Sequence, residues 1–141
     1  MSIETLIKEY ISTLPAQKQE DVLQLQKIIL EKYPDCKKWF LDGKDETGKV
    51  VTNPNIGFGQ HKINYADGST KDFYRVGISG NKTGISVYIM SIADKKYLAS
   101  TYADRIGKAS ITGYCIKFKS FKEIDVAVLA DAMNDGMKEQ K

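Results

Sequence analysis

Histidine and cysteine are scarce in this sequence of 141 residues, which contains one histidine and two cysteines. A closed structural zinc site needs four ligands, typically Cys or His at short spacing. Cys36 and Cys115 are far apart in the chain, and His61 has no second histidine to pair with. The sequence therefore predicts no metal site of this kind and no resident cofactor. His61 is also the only histidine that could act as a base beside a nucleophile.

Long hydrophobic runs are absent as well. No stretch approaches the roughly 18 consecutive apolar residues of a membrane-spanning helix. The first five residues lack the basic and apolar segments of a signal peptide. We therefore expect a cytoplasmic protein that does not insert into membranes. Thiols are kept reduced in that compartment, so Cys36 and Cys115 are predicted to be free.

The excess of positive charge is small, with 21 basic and 18 acidic residues and a net charge of +3. It is concentrated in the middle of the chain, because residues 36–119 contain 14 basic and 7 acidic groups. This charge falls short of the strongly basic footprint of nucleic-acid-binding domains, so nucleic acid is not an expected partner. A solvated surface of mixed charge is the simpler explanation, and an anionic ligand is the alternative.

Apolar residues at helical spacing predict two N-terminal helices. The first spans residues 3–11, and Ser2 precedes it in the N-cap position. Pro15 then suits the first turn of a second helix, which Pro34 ends. The buried stripe of this second helix is predicted to comprise Val22, Leu25, Ile29 and Tyr33. Because the connection is short, we expect an antiparallel helical hairpin.

Beyond residue 36 the apolar pattern alternates and predicts strands over residues 37–41, 56–65, 74–78, 85–89 and 114–118. Gly57 and Gly59 suggest a bulge or a close backbone approach within the second of them. A short helix is predicted between residues 94 and 106, with Gly107 as its C-cap. A Ser120–Glu123 capping box is predicted to begin the last helix.

These elements predict an α+β fold in one domain spanning residues 1–141. We expect an N-terminal helical hairpin, a mostly antiparallel sheet of about five strands, and a short helix and a C-terminal helix packed on the sheet.

Several short motifs resemble the YdhG-like family, a group of small bacterial domains of unknown function. The motifs are Ile56-Gly57-Phe58-Gly59, Tyr65-Ala66-Asp67-Gly68, Val76-Gly77-Ile78-Ser79 and the run from Ile85 to Met90, with Gly107-Lys108, Cys115, Lys119 and Ile124-Asp125 closing the pattern. The resemblance covers nearly the whole chain. Because some members are called frataxin-like iron chaperones, it also implies iron binding as an alternative function.

Aromatic residues and glycines coincide on adjacent predicted strands. We expect a pocket or groove on the sheet that binds a small molecule or a protein partner without catalysis. Its predicted lining is Trp39, Phe58, Tyr65, Tyr74 and Tyr88, with Lys82, Lys108, Cys115 and Lys119 beside it. Association into a homodimer is left open.

Two further functions remain as alternatives. One is a thiol-dependent enzyme, since Cys115 shares a strand face with Lys117 and Lys119, which could lower the pKa of its thiol. The alternative is that Cys115 is buried and unreactive and packs as a small hydrophobic residue. The other is iron carriage by acidic residues of the second helix, where a solvated helix face is the simpler explanation. These residues are Glu20, Asp21, Glu31 and Asp35.

Overall fold

A computed structural model describes residues 2–80, 84–92 and 94–138. The described residues have the predicted α+β class. The helices are α1 (Ile3–Ser12), α2 (Ala16–Lys32), α3 (Tyr97–Tyr102) and α4 (Val126–Met137), with a 3₁₀ turn at Phe121–Glu123. The strands are β1 (Lys38–Leu41), β2 (Asn55–Phe58), β3 (His61–Asn64), β4 (Thr70–Phe73), β5 (Val76–Gly80), β6 (Ile85–Ile89), β7 (Ala109–Thr112) and β8 (Cys115–Phe118). No described helix is long and apolar enough to cross a membrane.

The N-terminal helices follow the sequence prediction. The Ser2 hydroxyl caps α1 by accepting a hydrogen bond from the Thr5 backbone N–H at 3.2 Å. Val22, Leu25 and Ile29 of α2 are buried, as the apolar spacing predicted. Tyr33, the fourth residue of the predicted stripe, follows the end of the helix and is only partly buried. Helix α1 packs on β1 and α2 packs on β5, so the hairpin covers one face of the sheet.

The main sheet is antiparallel throughout, with the strand order β1-β2-β5-β6-β8-β7. It has six strands where the sequence predicted about five, because β7 was not recognised. Strands β3 and β4 form a separate two-stranded hairpin. The long strand predicted over residues 56–65 is therefore two strands in different sheets. Gly59 separates them, because its φ of +80° turns the chain out of the main sheet.

One face of the main sheet forms the hydrophobic core with the helices. Helix α2 packs on β5, α4 packs on β5 and β6, and α3 packs against α4 and β7. The strand residues of this core are fully or almost fully buried: Ile56, Phe58, Val76, Ile78, Ile85, Val87, Ile89, Ile116 and Phe118. The helices therefore cover this face, and a ligand site on the sheet must lie on the opposite face, which we call the second face.

Three boundaries near the C-terminal half differ from the sequence prediction. The helix expected over residues 94–106 is limited to Tyr97–Tyr102, and Gly107 pairs with Ile124 instead of capping it. Ser120 precedes the 3₁₀ turn, and its side chain makes no cap hydrogen bond. The cap of α4 is Asp125, whose carboxylate accepts hydrogen bonds from the backbone N–H groups of Ala127 and Val128.

Candidate functional site

Strand register defines two neighbouring rows of side chains on the second face. The first, the aromatic row, runs across the sheet through residues that lie directly opposite one another. It comprises Trp39, Gly57, Gly77, Tyr88, Cys115 and Thr112. Opposed residues of antiparallel strands project to the same face, so this row is one continuous surface.

The Tyr74 ring covers the Gly57 and Gly77 positions of the aromatic row. A Cβ added to Gly57 would lie 2.3 Å from Tyr74 Cδ2, and one added to Gly77 would lie 2.6 Å from Tyr74 Cε1. Phe73 stacks on Tyr74 with ring centroids 4.1 Å apart, and Trp39 meets Phe73 edge-on at 6.1 Å. Only 4% of Tyr74 is exposed. These aromatic side chains therefore fill the surface above β2 and β5 and leave no open groove there.

The structure separates the aromatic residues that the sequence grouped together. Trp39, Tyr74 and Tyr88 are on the second face, but Phe58 is fully buried in the core and cannot line this surface. Tyr65 lies beyond β3 in the turn of the β3–β4 hairpin and is 46% exposed. Tyr74 is not on β5 with Val76, because it occupies the connection between β4 and β5. Lys82 lies outside the described residues.

The second row is polar and lies one pleat further along the same strands. Ser79, Ser86, Lys117 and Ser110 are directly opposite one another on β5, β6, β8 and β7. Lys108 and Lys119 are adjacent in sequence to the last pair of the β7–β8 ladder, Ala109 and Phe118. Adjacent strands are about 4.8 Å apart, so three lysines and two of the serines occupy a small area at the edge of the sheet.

A cavity of about 340 Å³ lies over this area, and we call it the lysine–serine pocket. Its wall consists of Gly84, Ser86, Lys108, Ser110, Lys117, Phe118, Lys119 and Glu123. Among the ion pairs between described residues, none includes Lys108, Lys117 or Lys119. The three ammonium groups are therefore not neutralised by a carboxylate within 4.0 Å in the part of the chain that the structure describes.

Contacts from α2 and from the 3₁₀ turn hold the wall of the lysine–serine pocket in place. The buried Lys18 ammonium donates a hydrogen bond to the Lys119 carbonyl oxygen. The Asp21 carboxylate, which is only 2% exposed, accepts a hydrogen bond from the Phe121 backbone N–H at 3.4 Å. The Lys108 N–H donates to the Glu123 carbonyl oxygen at 2.9 Å. Asp21 is therefore engaged in the fold and does not belong to a solvated acidic surface.

Cys115 belongs to the aromatic row and interacts with Ser86 and Lys117 of the polar row. Burial raises the pKa of its thiol, while a hydrogen bond with the Ser86 hydroxyl and the nearby Lys117 ammonium oppose this shift. Burial also raises the pKa of Tyr88, with the Cys115 thiol adding to the shift and the Ser86 hydroxyl opposing it. The thiol is therefore protonated at neutral pH, which is unfavourable for a nucleophile.

His61 is positioned in the β3–β4 hairpin, in a different sheet from Cys115. Burial lowers the pKa of the imidazole, and the Arg75 guanidinium lowers it further. Its Nε2 is buried without a hydrogen-bond partner among the described residues. The sheet topology therefore does not pair His61 with Cys115 as a base for the thiol.

Two other cavities have different chemistry. One of about 430 Å³ lies beside β1 and the 42–54 loop, and its lining includes Leu6, Phe40, Leu41 and Asn55. A smaller one of about 120 Å³ lies between α2 and α4.

The described residues contain no group of three or more His, Cys, Asp or Glu side chains arranged to hold a metal ion. The iron alternative thus has no donor cluster to support it within those residues.

Sequence reasoning named Lys108 and Lys119 but not Ser86, Ser110 or Lys117 as site residues. The alternation of β8 places Lys117 between Cys115 and Lys119, so the sequence contained a signal for it. Ser110 depends on β7, which the sequence did not reveal.

No protein-family model, curated protein or solved structure matches this chain. The resemblance to the YdhG-like family therefore stays a prediction.

Proposed function

We propose that this chain is a non-enzymatic binding module that holds a small anionic molecule in the lysine–serine pocket. The observation that carries the proposal is the arrangement of Lys108, Lys117 and Lys119 around one cavity without a neutralising carboxylate within 4.0 Å among the described residues. Like charges around one cavity repel one another, so an anion between them relieves a repulsion that the fold otherwise retains.

The hydrogen-bonding groups of the wall support the same conclusion. Lysine ammonium groups only donate hydrogen bonds, and the exposed Ser110 hydroxyl can donate another. Hydrogen bonds to charged groups contribute about 1.5–3 kcal/mol each, more than neutral ones. Glu123 is the one acidic residue among the described residues of the wall, which together keep a net positive charge.

Binding is favoured over catalysis because the nucleophile beside the pocket is not activated. The Cys115 thiol has a raised pKa, and His61 belongs to another sheet. We also propose a cytoplasmic location, for which the two free cysteines give support, since reducing compartments keep thiols unpaired. Membership of the YdhG-like family remains part of the proposal, on the motifs given above.

The experiment is a thermal-shift titration with phosphate, sulfate and citrate at constant ionic strength. A ligand that binds only the folded state raises its stability in proportion to the logarithm of ligand concentration above Kd. We expect stabilisation that follows this logarithmic dependence and is lost in Lys117→Gln. The matched control is Lys49→Gln, which removes the same charge from an exposed loop residue away from the pocket.

Stabilisation that rises linearly with anion concentration, or that is equal in Lys117→Gln and Lys49→Gln, contradicts the proposal. In that case the anions act through general exclusion from the protein surface, as sulfate and phosphate do for many proteins.

A further inference from the structure

We infer that the ligand of the lysine–serine pocket is a small phosphate monoester, whose phosphoryl dianion is held by Lys108, Lys117 and Lys119. This inference rests on the proposed function and specifies its ligand class.

Charge balance favours a dianion. Among the described residues, three lysines and one glutamate line the cavity, which leaves two positive charges to be matched. A carboxylate or a sulfate ester supplies one negative charge. A phosphate monoester supplies about −1.5 to −2 at pH 7, because its second pKa is about 6. Of these three groups, the monoester comes closest to neutralising the wall.

The placement of the lysines suits a group with several acceptor oxygens. Lys117 lies between Ser86 and Ser110 in one row. Lys119 comes two residues later, just after the end of β8, and lines the same cavity. Two residues of a strand span about 6.8 Å, and long lysine side chains can converge over that distance. A tetrahedral phosphoryl group offers three terminal oxygens, one for each ammonium group.

The size of the cavity indicates an organic body beyond the phosphoryl group. At about 340 Å³ it is at the small end of ligand pockets, which span roughly 300–1,000 Å³. Inorganic phosphate alone would leave much of that space empty. Phe118 is the one large apolar residue among the described residues of the wall, and its side chain is buried in the core. The wall is therefore polar, which favours a small and polar body.

The test compares phenyl phosphate with phenyl sulfate by isothermal titration calorimetry at low salt. The two probes share a ring and a tetrahedral anion, but at pH 7.5 only the phosphate is a dianion. We expect phenyl phosphate to bind at least about tenfold more tightly, which corresponds to one additional charge-assisted contact. Lys119→Gln should reduce this ratio, whereas Lys49→Gln should preserve it.

Lowering the pH to 5 should abolish the preference, because phenyl phosphate then becomes a monoanion. The groups that face the ligand are Lys108, Lys117, Lys119 and Glu123, and Cys115 and Tyr88 lie in the next row. Phenyl sulfate keeps its charge at both pH values. A change in its affinity therefore measures titration of these protein groups, and the ratio of the two affinities isolates the titration of the ligand.

Each outcome is decisive. Equal affinity for the two probes overturns the phosphate monoester and leaves anion binding intact. Failure of both probes, and of the anions in the thermal-shift titration, overturns the proposed function as well. Tighter binding of a single-stranded oligonucleotide, whose phosphodiesters are monoanions, would assign the pocket to nucleic acid and overturn this inference.

Discussion

Gly57 and Gly77 leave the space that the Tyr74 ring occupies on the second face. Both glycines are buried on neighbouring strands, and neither has a positive φ. Their role is therefore steric, because a Cβ at either position would overlap the ring. The sequence indicated a close backbone approach at Gly57 but could not identify Tyr74 as the group that approaches.

We expect Gly77→Ala to lower the free energy of unfolding by about 1–3 kcal/mol, because the added methyl group overlaps a buried ring. The measurement is urea denaturation of the four proteins of a double-mutant cycle with Tyr74→Ala. The effect of Gly77→Ala should shrink once the ring is absent. An equal effect in both backgrounds would show that the ring is not the cause.

Cys115 should react slowly with iodoacetamide at neutral pH, because burial raises the pKa of its thiol. The rate is measured in a Cys36→Ser background and compared with free cysteine. It should increase as the pH rises through the raised pKa. Lys117→Gln should slow the reaction further, since the ammonium favours the thiolate. A rate at pH 7.5 equal to that of free cysteine would instead support the thiol-enzyme alternative.

Secondary structure was predictable where a local signal dominates. The apolar spacing of α1 and the Ser2 cap are local features, and both agree with the structure. Strand β7 was missed because Ala109–Thr112 has only four residues and one large apolar side chain. The pairing of β7 with β8 is a tertiary contact, so the length and composition of this segment do not predict a strand.

The start of α4 has two candidate cap residues, and hydrogen bonding distinguishes them. Ser120–Glu123 fits the sequence pattern of a capping box, but the Ser120 side chain makes no cap hydrogen bond, whereas Asp125 makes two. We therefore expect Asp125→Ala to destabilise the fold by about 1 kcal/mol and Ser120→Ala to have a clearly smaller effect. Thermal unfolding of the two variants checks this. A larger destabilisation by Ser120→Ala than by Asp125→Ala would instead support the Ser120–Glu123 capping box.

The lysine–serine pocket was only partly visible in the sequence for a related reason. Lys108 and Lys119 belong to recognisable motifs, but their proximity to Lys117 and Ser110 follows from the register between β7 and β8. A one-residue change of register would move these side chains to the opposite face. Side-chain identity can thus be obtained from a single sequence, whereas the set of residues around a cavity requires the pairing of strands.

Buried and half-buried tyrosines give the protein an alkaline limit to its stability. Burial raises the pKa of Tyr74, Tyr88 and Tyr102, with Asp135 adding to the shift of Tyr102. In the unfolded chain, tyrosine ionises near pH 10. Above that pH the unfolded state loses protons that the folded state retains, so stability falls as the pH rises.

Denaturant midpoints between pH 8 and 11 measure this limit. We expect a decrease above about pH 10 and a shallower decrease for Tyr74→Phe, which keeps the ring but removes its ionisable group. The two proteins should have similar midpoints at pH 8. Identical slopes would mean that Tyr74 ionises as easily in the folded protein as in the unfolded chain.

The most direct test of the proposed binding site is to map bound phenyl phosphate by ¹H–¹⁵N NMR at pH 7.5. The proposal predicts saturable chemical-shift changes at the backbone amides of Ser86, Ser110 and Lys117, with smaller changes at residues 42–54 beside the other large cavity. Phenyl phosphate should cause no such changes in Lys117→Gln. Shifts centred on residues 42–54, or none that saturate, would contradict a binding site at the lysine–serine pocket.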